Sequence, residues 1–123
     1  MCRQLAALTL ALLSACRSGT ETSVAIALLN LEEEPRRLLR VCLGKRCTEV
    51  NTVLDHGDEA IVTLQPSRDA PLAFTVEERG GHTRTLPCEA RVPSGSTGSL
   101  KVALSGGRTR VLENKLHVAR AGD

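Results

Sequence analysis

The sequence predicts an all-β fold, a single small antiparallel β-sandwich of the immunoglobulin-like or transthyretin-like kind with about seven or eight strands. Apolar residues recur with period two in short runs, and turn signals interrupt those runs at regular intervals. Once an N-terminal segment of residues 1–15 is set aside, 108 of the 123 residues remain, enough for one compact domain and too few for two.

The runs follow in chain order. Val24, Ile26 and Leu28 alternate first. Ala25, Ala27, Leu29 and Glu32 to Glu34 would also suit a helix ended by Pro35, and the strand is the expected outcome. Next come Leu39, Val41 and Leu43, then Val50, Thr52 and Leu54, then Ala60, Val62 and Leu64. Leu72, Phe74 and Val76 follow, and Leu100, Val102 and Leu104 close the series. Between them stand GK at 44, HGD at 56, PSRD at 66, GG at 80, PSGSTG at 93 and GG at 106. The stretch at 93 is expected to be a flexible strand connection.

Three hairpins follow with their register. A two-residue loop of Gly44 and Lys45, with glycine leading as a type II′ turn requires, sets Leu43 opposite Arg46 and Cys42 opposite Cys47. Facing cysteines in a non-hydrogen-bonded pair have α-carbons about 4.5 Å apart, near the short end of disulfide geometry. Gly80 and Gly81 would place Glu77 opposite Arg84, and Gly106 and Gly107 would place Val102 opposite Val111. GGHTRTL (80–86) and GGRTRVL (106–112) match at five of seven positions. Two glycine hairpins with Thr and Arg facing water would share that pattern without duplication.

Ahead of the domain, a charged tip (Met1 to Arg3) precedes an apolar run from Leu5 to Ala15, and Leu13-Ser14-Ala15 stands directly before Cys16. A predominantly apolar run of eleven residues falls short of the roughly 20 that cross a bilayer as a helix and has the length of an export-signal core. The segment resembles the signal and lipobox of bacterial lipoproteins. The resemblance implies cleavage before Cys16 and acylation of its thiol, with residues 16–22 (CRSGTET) as a polar tether, 23–118 as the sandwich and 119–123 as a tail. Two or more acyl chains, at roughly 0.8 kcal/mol per buried methylene, would hold the protein durably on the membrane. In that family an Asp after the cysteine favours inner-membrane retention. Arg17 stands here, so the expected location is the inner leaflet of the outer membrane, facing the periplasm. Simple secretion with cleavage after Ala15, and an uncleaved membrane helix, are the competing readings.

Composition narrows the function. Phe74 is the sole aromatic residue, so there is no platform for stacking sugars or unpaired bases, and export also argues against nucleic acid. Residues 17–83 hold 8 basic and 11 acidic residues, and residues 84–123 hold 7 and 3. The basic C-terminal part would serve either as a solvated strand face or as a surface for an acidic partner or lipid head groups.

In an oxidising compartment Cys42 and Cys47 are the expected disulfide, with Cys88 left unpaired or acting as the alternative partner. Zinc held by Cys42, Cys47 and Cys88 with His82 or His56 is chemically legal but lacks a second close pair. Asp55 and His56 read as a polar turn with Gly57 and Asp58. Ser96 in SGSTGS lacks the setting of a nucleophile elbow. No catalytic residue, metal or other cofactor is expected beyond the covalent lipid on Cys16.

The expected function is therefore non-catalytic: an outer-membrane lipoprotein, tethered through Cys16, that binds or braces another envelope protein. The expected contacts are sheet edges, Lys45 and Arg46 on the first hairpin, and Arg108, Arg110 and Lys115 near the C-terminus. In layout this resembles the small sandwich lipoproteins serving secretion machines, including the type VI membrane complex and the pilotins. The alternatives are a periplasmic ligand or metal binder, a hydrolase using His56 and Asp55, and a protease inhibitor that offers Lys45 and Arg46 as bait.

Overall fold

The computed structural model describes residues 23–118. The lipobox, Cys16, the tether to residue 22 and the tail 119–123 lie outside the described residues. Eight strands run in order: β1 (Val24–Asn30), β2 (Arg36–Leu43), β3 (Arg46–Leu54), β4 (Glu59–Leu64), β5 (Ala70–Glu77), β6 (Thr83–Val92), β7 (Ser96–Ser105) and β8 (Arg108–Val118). They form two four-stranded sheets, ordered β4-β1-β7-β8 and β3-β2-β5-β6. Every pairing is antiparallel except β1 with β7, which is parallel.

The period-two runs become the inner faces of the two sheets. Val24, Ile26 and Leu28 of β1 and Leu100, Val102 and Leu104 of β7 are buried in one sheet. Leu72, Phe74 and Val76 of β5 with Val41 and Leu43 of β2 are buried in the other, and Phe74 has 0% exposure. With no Trp or Tyr, this aliphatic core closes around a single ring. Alternation decides residues 24–30 as a strand, with burial switching at every position.

Three expectations need correction. Leu38, not Leu39, is the inward residue at the start of β2, because the pairing slips between Leu38 and Arg40 against both neighbours. On the β3 side Asn51 absorbs the slip with φ 53°, a conformation asparagine tolerates, and Arg37 donates to its Oδ1 at 3.1 Å. Glu77 pairs with Thr83, and Arg84 faces Val76. The turn there uses Arg79, Gly80 and Gly81, with Glu78 N–H donating to the His82 carbonyl, so the register moves by one and Arg84 instead bonds Glu78 at 3.0 Å. Residues 96–98 of PSGSTG are the start of β7 rather than a loose connection.

The other two hairpins have the expected register: Cys42 opposite Cys47 and Val102 opposite Val111. Gly44 has φ +59° beside Lys45, as a type II′ turn asks, while Gly106 and Gly107 are both positive, as in type I′. The GGHTRTL and GGRTRVL segments thus close loops of different length. They also touch, since Arg84 donates to the Gly107 carbonyl at 3.2 Å.

All connections gather at two ends. One end holds the start of β1, the β2–β3 turn, residues 65–69, residues 93–95 and the end of β8; the opposite end holds residues 31–35, 55–58, 78–82 and the β7–β8 turn.

Candidate functional site

At the β1-start end, the β2–β3 hairpin and residues 63–71 enclose an open groove of about 910 Å³, lined by Lys45, Arg46, Gln65, Arg68 and Asp69 among others. Its walls are fixed by backbone. Gly44 N–H donates to the Pro71 carbonyl at 2.9 Å, and Gly95 N–H donates to the Pro66 carbonyl at 3.1 Å. Ser94 N–H donates to Asp69 Oδ1 at 2.8 Å. Pro71 is tolerated in β5 because it sits at the strand's beginning, where it supplies only an acceptor. The Cys42–Cys47 disulfide, with α-carbons 4.0 Å apart, clamps the base of the hairpin.

Charge at this groove is one-sided. Among the described residues, Lys45 and Arg68 make no ion pair, and Arg46 makes one side-chain hydrogen bond, to Ser67 Oγ at 3.2 Å. Asp69 is the one carboxylate among the described residues that line the groove, and the Ser94 amide already occupies one of its oxygens. The sequence pointed to Lys45 and Arg46 but not to Arg68, since a lone cation in a turn carries no signal until the fold lays it against a hairpin.

Arg108, Arg110 and Lys115 lie elsewhere, along edge strand β8. The pairing slips between Lys101 and Val102, so that Leu112 is the extra residue of β8. Arg110, Glu113 and Lys115 thereby stay opposite Ala103, Lys101 and Ser99, on one outward face. Lys115 approaches Glu113 only at 3.8 Å, and Arg108 and Arg110 make no ion pair among the described residues.

The remaining candidates are engaged structurally. Cys88 is a free, buried thiol, and burial pushes its pKa up, so the reactive thiolate is disfavoured. With Cys42 and Cys47 bonded to each other, no set of three His, Cys, Asp or Glu residues among the described ones is placed to hold a metal ion. His56 Nδ1 lies 3.0 Å from the Glu32 carbonyl. Asp58 N–H bonds the Asp55 carbonyl and Asp58 Oδ2 accepts from Asp55 N–H, the polar turn read from the sequence. Ser96 is fully buried, its hydroxyl donating to the Pro93 carbonyl.

At the opposite end the sequence offered no warning of Asn30. This side chain is fully buried, and its amide donates to the carbonyls of Leu54 at 2.8 Å and Glu34 at 3.1 Å while its Oδ1 accepts from Glu32 N–H at 2.9 Å. Its own carbonyl accepts from Gly57 N–H. One residue thus ties together two loops that would otherwise bury unpaired backbone. Glu32 beside it binds Arg36 at 2.7 Å and the Gly107 amide.

No helix among the described residues is long and apolar enough to cross a membrane. Compared with known proteins, the chain matches no protein family, no curated protein and no solved structure.

Proposed function

We propose that the chain is an outer-membrane-anchored periplasmic lipoprotein acting as a non-catalytic protein-interaction or assembly-accessory module of an envelope complex, in the manner of secretion-system lipoproteins. The observation that carries the reading is Leu13-Ser14-Ala15-Cys16, placed seven residues before the first described residue of a strand sandwich. An acyl-modified Cys16 holds the domain at the membrane, and the sheet edges and the outward face of β8 meet the partner.

Of the two sandwich classes, sheet order favours the transthyretin-like one. An immunoglobulin-like sandwich puts its first and second strands in one sheet. Here β1 and β2 lie in opposite sheets, and β1 sits between β4 and β7.

The test is expression in a lipoprotein-processing bacterium, with intact-mass analysis and detergent partitioning of the wild type and Cys16→Ser. The expected result is a chain starting at Cys16 with added acyl mass, and loss of that mass and of correct processing in the variant. Unchanged processing and partitioning would overturn the anchor. Photo-crosslinking from Arg110 and from Ile61, an exposed residue of edge strand β4, should then trap a discrete envelope protein; a lipidated chain that traps none would leave the anchor standing and remove the docking role.

A further inference from the structure

We infer that the groove end of the sandwich is a membrane-facing surface, with Lys45, Arg46 and Arg68 seated on the anionic head groups of the bilayer that holds the lipid anchor. The inference rests on the lipoprotein reading and adds to it an orientation and a ligand.

Two independent features point the same way. The first is where the chain enters: β1 begins at the same end as the groove. Cys16 lies eight residues before Val24, so even fully extended backbone, at about 3.5 Å per residue, holds this end within roughly 30 Å of the acylated sulfur. The second is how charge is distributed. Among the described residues, Lys45 and Arg68 have no carboxylate partner, and Arg46 has only a hydroxyl. The opposite end collects Glu32, Glu33, Glu34, Asp55, Asp58 and Glu78 against Arg36, Arg79, Arg84 and Arg108, so it stays acidic on balance and the long axis carries a charge gradient. An anionic surface attracts the groove end and repels the other, and the tether emerges from the attracted end.

The groove also suits the ligand. Its walls are held by hydrogen bonds between backbone groups and by the disulfide, so the main chain that carries the three cations needs no ordering step. Ammonium and guanidinium groups within a Debye length of a charged bilayer together strengthen partitioning by roughly a hundredfold for three cations. The anchor supplies attachment; the cations would decide which way the domain stands.

The experiment uses the mature lipidated protein purified from membranes, checked for acyl mass and reconstituted into vesicles of phosphatidylcholine alone or with about 30 mol% phosphatidylglycerol. Amide hydrogen exchange is read on peptides covering 43–48 and 64–71. On anionic vesicles these amides should exchange several-fold more slowly than on neutral ones, and about 0.5 M salt should abolish the difference. The triple variant Lys45→Glu, Arg46→Glu, Arg68→Glu should abolish it as well, while retaining acyl mass and a native circular dichroism spectrum. Equal exchange on the two vesicle types, from a chain that carries its acyl mass, overturns the orientation alone. Absence of acyl mass overturns the anchor and the orientation with it. Protection that appears on neutral vesicles only when polyglutamate is added assigns the cations to an acidic protein instead, and overturns the lipid assignment.

Discussion

At one end of the sandwich, acidic residues are held by partners inside the molecule: Glu32 by Arg36 and the Gly107 amide, Glu34 by Arg36 and Arg79, Glu78 by Arg84, with Asn30 buried beneath. At the other, Lys45, Arg46 and Arg68 stand around a groove with no ion pair among the described residues. Charges satisfied within the fold have a structural role, and truncating them should cost stability. Charges without an internal partner should cost the fold little when removed.

That contrast can be broken or sharpened at graded cost. The largest effect belongs near the groove end but to backbone rather than charge. Gly98 in β7 has φ +104°, and a β-carbon there would collide with the Lys115 carbonyl, so Gly98→Ala should destabilise by about 3 kcal/mol or more and loosen β8, read from the denaturant midpoint. Next, Asn30→Ala strands buried backbone donors and acceptors at the acidic end. It should lose about 2–3 kcal/mol and raise hydrogen exchange in both 31–35 and 54–58, whereas an effect confined to one loop would contradict its bridging role. Cys42→Ser with Cys47→Ser removes a cross-link whose sequence separation is only 5, so the chain-entropy cost should be about 2 kcal/mol or less, measured by urea unfolding without reductant. Smallest of all, Lys45→Ala with Arg68→Ala should change stability by no more than about 0.5 kcal/mol. A larger loss would mean that the groove cations are structural after all, and the contrast between the ends would fail.

Much of the fold was legible because period two and turn chemistry act locally. Val24, Ile26 and Leu28 announce their face, and Gly44-Lys45 announces both a turn and the meeting of Cys42 with Cys47. What escaped was long-range or depended on one residue of register. The double slip at Leu38–Arg40 leaves Leu39 half-buried, and nothing in RRLLR says which leucine wins until both neighbouring strands are in place. The three-residue loop at Arg79–Gly81 looks like a two-residue glycine turn in sequence. The parallel pairing of β1 with β7 joins residues more than seventy positions apart, beyond any local signal. The site was legible only in part: Lys45 and Arg46 stood out, Arg68 joined them through folding, and Asn30 read as an ordinary strand end.

The position of β1 has a mechanical meaning. A pull between the chain ahead of Val24 and the far end of the domain runs along a strand flanked by ladders to β4 and β7. Ladder bonds lie across the strands, so such a load shears both sets at once instead of unzipping them one by one. A body moored through this strand would resist being torn from its partner far better than one moored through an edge.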